Sequence, residues 1–424
     1  MADLIETREV QQKVILVAVC AGYDKEEDVY ASLDELEELC DTAGAVTVMK
    51  TVQNRPQVHQ ALYVGTGKVA EIRDMIAETG ANGIVCDDEL TPSQMSNLEQ
   101  ELDCRVMDRT MVILDIFAKH AVSREGKIQV ELAQLRYNSS HLTGKGIAMS
   151  RLGGGIGTRG PGEKKLETDR RAIRTRIGQL KAELDEIERH RDLTRDRRRK
   201  TGQKVAAIVG YTNAGKSTLL NSLTGADILA EDMLFATLDT TTRLLELSGK
   251  QEILLTDTVG FIKKLPHNLI DAFKSTLEEA KYADFIIHVV DGSNPKASEQ
   301  MATVYETLHD LDALGKPILT LFNKADLPQD RPLTDPRADK CLYISAKEGT
   351  GFDKISEVLS DFMRDGKHFI DMVIPYSEGS TLDRIRKKGE LLMEEYEAEG
   401  IHVQAYVPLE LGLVDVPKKG DIDW

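Results

Sequence analysis

The chain has 424 residues, enough for two to four domains, and 41% of them are apolar, sufficient for packed cores. Aromatics make up only 5%, which argues against a surface that binds mainly by base stacking, and the formal net charge of −17 argues against a uniformly phosphate-seeking one. No apolar run reaches membrane-spanning length, and MADLIETREV lacks the basic flank and apolar stretch of a secretory signal. Cys20, Cys40, Cys86, Cys104 and Cys341 are scattered and form no CxxC pair, so a reduced cytoplasmic setting without a zinc site is expected.

From residue 14 to about 125, short apolar runs alternate with helical patterns. VILVAVC (14–20) reads as a buried strand, DVYASLDELEELC (28–40) as a helix and AVTVMKTV (45–52) as a second strand. GIVCDDEL (83–90) reads as a strand leading into a loop and then a helix. The alternation predicts a small α/β domain with a parallel sheet, residues 1–126. Within it, YVGTGKVAEI (63–72) sets glycines at a helix start. Such a turn can bind phosphate, or it can be a plain tight turn, and GTGK is too short for a standard phosphate loop.

Two helical segments follow, 127–142 and 163–199. In the second, Ile173, Ile177, Leu180, Leu184 and Ile187 form a heptad seam, and Ile128, Leu132 and Leu135 repeat the spacing in the first. A helical hairpin arm over 127–200 packs one seam on the other. The connection, TGKGIAMSRLGGGIGTRGPG (143–162), holds eight glycines and is flanked or punctuated by Lys145, Arg151, Arg159, Lys164 and Lys165. A long glycine-rich loop of this kind is either functional or a floppy tip. Charge favours neither reading alone, but residues 151–204 carry 17 Lys+Arg against 9 Asp+Glu, while the rest of the chain carries 37 against 62. One basic segment in an acidic protein can meet a phosphate-bearing partner locally while the acidic bulk limits non-specific binding.

Residues 203–367 alternate strands (KVAAIVG, EILLTDTVG, FIIHVVDG, ILTLFNKAD, LYISAK) with helical stretches, a doubly wound α/β pattern with ligand loops at strand C-termini. GYTNAGKS (210–217) matches G-x-x-x-x-G-K-[ST] between a strand and a helix, the context that the motif requires. Gly210, Tyr211, Thr212, Asn213, Ala214 and Gly215 would wrap backbone N–H groups around phosphates. Lys216 would reach the β- and γ-phosphates, and Ser217 would offer its hydroxyl to Mg²⁺. DTVG (257–260) ends the next strong strand, with Asp257 suited to Mg²⁺ and Gly260 to γ-phosphate sensing beside Thr258 and Val259. In NKAD (323–326), the Asp326 carboxylate can accept from guanine N1–H and its exocyclic amine. Asn323 can tie this loop to the phosphate loop, and Lys324, beside Ala325, can cover the ring. In SAK (345–347), the Ala346 N–H, between Ser345 and Lys347, can reach guanine O6. The set predicts GTP and GDP as ligands. ADILAEDMLFATLDTTTR (226–243) reads as a switch loop, in which Thr237, Thr240, Thr241 and Thr242 compete for the Mg²⁺ and γ-phosphate role. The tail from 368 reads as a small β-α-β domain to residue 424: FIDMVIPY, a helical run from Leu382 to Tyr396, then IHVQAYVPLE.

GYTNAGKS, FATLDTTTR, DTVGFI, NKAD and SAK, together with LTGKGIAMSRLGGGIGTRGPGEKKLETDRR (142–171), resemble the HflX family of translation-factor-related GTPases over about residues 14 to 370. The resemblance implies a cytoplasmic GTPase that binds ribosomes, chiefly the large subunit, and splits stalled ribosomes under stress such as heat. It implies contact of the N-terminal domain and the arm with ribosomal RNA near the peptidyl-transferase centre. It favours Thr237, within Phe235, Ala236, Thr237, Leu238 and Asp239, as the switch threonine on Mg²⁺, so that Lys216, Thr237 and Gly260 serve catalysis and Ser217, Thr237 and Asp257 serve the metal. Thr240 departs from the family's usual proline, which leaves the conformation of that loop open.

Phe261 stands where the Ras-like pattern has a water-orienting glutamine. Slow basal turnover is therefore expected, with the site completed by the ribosome or by K⁺ held at Asn213; alternatively, Asn213 only shapes its loop. A monomer is expected. The competing function is an RNA-modifying or ribosome-assembly GTPase acting on tRNA or rRNA, of which the modifying kind calls for a reactive cysteine in an evident motif.

Overall fold

A computed structural model of the chain describes residues 11–22, 25–150, 161–225, 234–235, 239–247, 251–264, 277–328, 331–364 and 366–413. They fall into two bodies. The first runs to His190 and takes in Leu234, Phe235, Asp239 and Ile262–Lys264; the second holds the remainder.

In the first body, β1 (Gln12–Ala21), β2 (Ala45–Arg55), β3 (Gly83–Cys86) and β4 (Arg105–Asp108) form a parallel sheet in the order β2-β1-β3-β4. The intervening helices are α1 (Glu26–Thr42), α2 (Thr66–Thr79), α3 (Pro92–Leu102) and α4 (Arg109–His120). β1 reads as an unbroken apolar run because it is central and covered on both faces: Val14 to Val19 are all buried. At α2, Gly65 is the N-cap and its N–H donates to Gln53 Oε1 at 2.7 Å, the arrangement of a tight turn held to the neighbouring strand.

α5 (Arg124–Ser150) and α6 (Pro161–Thr201) form the predicted hairpin. Ile128, Leu132 and Leu180 are its buried contacts, with Leu135, Ile177, Leu184 and Ile187 packed around them. The loop expected over 143–162 is shorter than predicted. Thr143–Ser150 continue α5, and Pro161 and Gly162 already belong to α6. Extending an existing helix is far cheaper than starting one, so Gly144 and Gly146 are carried at about 1 kcal/mol each, and proline suits a first helical turn. Residues 151–160, with Arg151 and Arg159, lie outside the described residues.

The second body contains β5 (Lys204–Gly210), β6 (Thr241–Leu247), β7 (Gln251–Asp257), β8 (Phe285–Asp291), β9 (Ile318–Asn323) and β10 (Lys340–Tyr343) in the order β10-β9-β8-β5-β7-β6. All neighbours are parallel except β6 and β7. Helices α7 (Lys216–Thr224), α8 (Ala297–Asp310) and α9 (Phe352–Arg364) accompany it. The predicted switch loop therefore ends sooner than expected. Thr241–Arg243 open β6, where β-branched residues suit the pleat and Leu245 and Leu247 alternate into the core.

The tail is β-α-β-β: β11 (Lys367–Ile374), α10 (Gly379–Lys388), β12 (Glu390–Tyr396) and β13 (Ile401–Pro408), sheet order β11-β13-β12. The helical run expected from Leu382 to Tyr396 splits at Gly389, whose N–H closes α10 on Ile385 O at 2.8 Å. Glu390–Tyr396 then gain a ladder of antiparallel pairings with β13, which the short helical pattern could not offer.

Candidate functional site

The sequence Lys204–Ser217 passes from β5 to α7 through one tight loop, and the loop needs its glycines. Gly215 has φ +93, and a Cβ there would lie 2.3 Å from Asn323 Nδ2. Asn213 also takes a left-handed backbone, φ +58, which asparagine tolerates better than most residues. That conformation by itself accounts for an asparagine in the loop. Lys216 is buried, and its ammonium donates to Tyr211 O at 2.8 Å. Burial pulls its pKa down to about 8, against the opposing pull of the Asp257 carboxylate.

Ser217 and Asp257 meet directly, Ser217 Oγ donating to Asp257 Oδ2 at 2.7 Å. A hydroxyl and a buried carboxylate at the head of α7 are a hard-oxygen pair of the kind Mg²⁺ takes. Thr258 donates from Oγ1 to Ile208 O at 2.8 Å, fastening the end of β7 to β5. Beyond it, Gly260 is packed so tightly that a Cβ would sit 2.9 Å from Lys216 Nζ, Thr212 Cα and Thr212 Cγ2 alike. Phe261 N–H donates to Gly210 O at 3.1 Å, and Thr212 N–H donates to Phe261 O at 2.8 Å. The phosphate loop and the DTVGF segment are thus zipped together, and Phe261 is 1% exposed.

Asn323 is the hinge between loops. Its Nδ2 donates to Ala214 O at 2.9 Å, and its Oδ1 accepts from Ala346 N–H at 2.9 Å. Ser345 Oγ donates to Asp326 Oδ1 at 2.6 Å, and this hydroxyl, first, holds the Asp326 carboxyl below its ordinary pKa. Lys324, at φ +62, places its ammonium 2.7 Å from Asp291 Oδ2. Asp291 Oδ1 is in turn held by Ser293 N–H and Oγ–H. Ala325 N–H donates to Ile344 O at 3.0 Å, and Lys347 follows the pair on the same turn. The sequence reading missed Asp291: its only signal was an Asp-Gly step at the end of FIIHVV. It also missed the Ser222 hydroxyl, which donates to Ala346 O at 2.8 Å and braces the base-side loop on α7.

The switch residues divide differently. Ala236, Thr237 and Leu238 lie outside the described residues, as do 226–233. Phe235 and Asp239 belong to the first body. The Phe235 ring meets Phe117 edge-on at 4.8 Å. The Asp239 carboxylate accepts from Val122 N–H at 2.9 Å and Ser123 N–H at 2.7 Å, and from the Ser123 hydroxyl, at the start of α5. In the same body, Lys264 reaches Asp87 at 2.5 Å and Asp88 at 2.7 Å, and Asp87 pairs with the buried Arg109 at 3.0 Å. Thr242 is committed to the strand pair, its hydroxyl 3.0 Å from that of Thr256.

Three family models match the chain: one described as GTP-binding GTPase N-terminal over residues 30–118, one as GTP-binding GTPase Middle Region over 120–198, and one as 50S ribosome-binding GTPase over 205–324. A protein called GTPase HflX from Lacrimispora saccharolytica is 60% identical over 412 residues, covering 97% of each chain. Proteins of the same name from Caldanaerobacter subterraneus and Escherichia coli are 46% and 38% identical; the alignments cover 95% of this chain and 92% of the first, and 94% of this chain and 94% of the second.

Proposed function

Because the chain belongs to the HflX family of GTPases, we propose that it hydrolyses GTP as a nucleotide-gated ribosome factor that engages chiefly the large subunit and splits or rescues stalled ribosomes under stress such as heat. The observation that carries the nucleotide reading is the pair of hydrogen bonds at Asn323, Nδ2–H to Ala214 O and Ala346 N–H to Oδ1, which ties the phosphate loop to the base loop. Asp326, steadied by Ser345, is the acceptor for guanine N1–H and the exocyclic amine, whereas the Ala346 N–H expected at O6 is spent on Asn323 Oδ1 and would have to be shared with the base. Lys216 binds the β- and γ-phosphates, with the backbone of Gly210–Ser217 around them and Gly260 against the γ-phosphate. Ser217 and Asp257, with Thr237, would hold Mg²⁺, which when bound neutralises charge developing on the phosphate oxygens. The left-handed backbone of Asn213 supports the reading in which that residue shapes its loop.

Ribosome binding is supported by charge placement and by the "50S ribosome-binding GTPase" description of the matching family model. The basic surplus lies in residues 151–204, chiefly toward the end of α6, and the two hairpin helices share a buried seam. The RNA-modifying alternative loses ground at four of the five cysteines: burial pushes the Cys40 thiol up to about 12 and the Cys104 thiol to about 11, and raises Cys86 and Cys341 as well, which disfavours thiolate on these four at neutral pH. The decisive measurement is the GTPase rate with and without purified large subunits at saturating GTP. Strong stimulation is expected, and indifference would sink the ribosome reading. Subunit dissociation of stalled ribosomes on addition of the protein and GTP tests the splitting step.

A further inference from the structure

β8 ends on an aspartate that none of the nucleotide motifs contains. Asp291 and Asn323 are the last residues of the neighbouring parallel strands β8 and β9, and they stand opposite each other in register. The segments that leave the two strands stay joined, Gly292 N–H donating to Asn323 O at 2.8 Å. Lys324, the residue after Asn323, takes a left-handed backbone, φ +62, which a lysine adopts only at a cost in strain. The Asp291 carboxylate holds it there. Oδ2 lies 2.7 Å from the Lys324 ammonium, while Oδ1 accepts from the Ser293 N–H at 3.0 Å and from the Ser293 hydroxyl at 2.6 Å. One oxygen thus fixes the carboxylate and the other fixes the lysine. The Asp291 side chain is 15% exposed and that of Lys324 27%, so the pair is partly shielded from solvent. A lysine stem is long and flexible, and anchoring its ammonium restricts it before any ligand arrives.

We propose that Asp291 is a positioning residue for guanine: by holding the Lys324 ammonium, it lays the lysine stem where the ring face of the base binds. The inference rests on the GTPase reading above. It assigns Asp291 to the face of the base, as Asp326 is assigned to its edge. A stem ordered in advance need not be ordered by the nucleotide, so the pair raises affinity for GTP and GDP alike. Asp291 acts through the base-side loop, away from the bonds that change in hydrolysis. Its contribution is therefore the same in the ground state and the transition state, and its loss raises KM while leaving kcat alone.

The test uses the full chain and compares wild type with Asp291→Asn, Lys324→Gln, the double variant and Ser293→Ala. Asparagine keeps an acceptor oxygen for Ser293 and removes the charge that holds Lys324. The affinities for GDP and inosine diphosphate, kcat, and KM for GTP are measured for each. Asp291→Asn is expected to weaken GDP binding by about 5- to 30-fold, to raise KM in parallel and to keep kcat within about twofold. The ratio of GDP to inosine diphosphate affinity should stay within about twofold of wild type, because the guanine amine lies on the edge of the base and not on its face. In the double variant the loss should not exceed that of Lys324→Gln alone, since Asp291 has nothing left to hold. Ser293→Ala, which loosens the carboxylate without touching the lysine, is expected to weaken GDP binding by about two- to tenfold, and it serves should the asparagine variant not fold. Unchanged GDP affinity in the folded Asp291→Asn variant, or in Ser293→Ala where asparagine does not fold, overturns the assignment. Losses that multiply in the double variant, a fall in kcat at constant KM, or a shifted ratio of the two diphosphates overturn it as well. A wild-type protein that binds no GDP would instead sink the underlying reading.

Discussion

Lys216 titrates where experiment can reach it. Its buried ammonium has a pKa near 8 instead of the usual 10.5, so the nucleotide-free protein begins to lose this charge just above neutrality. The sign follows from linkage. The folded protein binds fewer protons here than the unfolded chain between about pH 8 and 10.5, so Lys216 disfavours the nucleotide-free fold most below pH 8 and ceases to do so as pH rises. Phosphates bind the charged form, so GDP affinity is greatest below pH 8 and weakens by about tenfold at pH 9, which a fluorescent-GDP titration over pH 7 to 9 would record. A flat profile would mean that the lysine stays charged throughout. Asp326 offers a second residue-scale prediction. If Asp326 accepts two charge-assisted bonds from guanine, Asp326→Asn is expected to lower GTP affinity by roughly 10²- to 10⁴-fold. Xanthosine triphosphate should become the preferred nucleotide in competition binding. The loops that carry these residues were readable from residue types because NKAD and GKS are short motifs whose internal bonding is local. Asp291 was not readable, because its partner Lys324 is brought to it by the pairing of β8 with β9.

Among the elements, the hairpin was legible in outline because a heptad repeat is a long, redundant signal. Ile128, Leu132 and Leu180 meet as the spacing required. Leu180 is 1% exposed, so Leu180→Ala is expected to destabilise the first body by about 2–5 kcal/mol in denaturant unfolding. Arg176→Ala, which breaks a solvent-screened pair with Glu131, should leave the denaturant midpoint nearly unchanged. Strand β12 was misread as helix for a reason of the opposite kind. LLMEEY is short and satisfies either period, and its pairing partner β13 comes later in the chain. β6 escaped notice likewise: its register is set by β7, to which it runs antiparallel at the sheet edge.

For the whole molecule, the α/β class followed from the alternation of patterns, but the division of the chain into bodies did not. Phe235, Asp239 and Lys264 flank the nucleotide motifs in sequence, yet they pack with the first body through Phe117, Ser123 and Asp87. Such contacts join residues more than a hundred positions apart, and no local pattern announces them. At this scale the charge distribution also makes a prediction. With the basic surplus confined to residues 151–204, stimulation by large subunits should fall steeply between 50 and 200 mM salt. GTP turnover by the protein alone should stay nearly constant over that range. Equal salt sensitivity of both rates would count against an electrostatic docking step.

The two backbone bonds at Phe261 also close a route for engineering, and for evolution by single replacements. Supplying the absent glutamine, by Phe261→Gln, would not convert the protein into a self-sufficient hydrolase. The side chain at that position is enclosed, 1% exposed, and its peptide is bonded on both sides to Gly210 and Thr212. An amide placed there would bury its polar atoms and forfeit the ring's packing, at about 3 kcal/mol or more, and the phosphate loop would loosen with it. The expected variant melts at lower temperature, binds GDP more weakly and turns over no faster than its parent. That replacement is closed because Phe261 is itself part of the scaffold that shapes the phosphate loop.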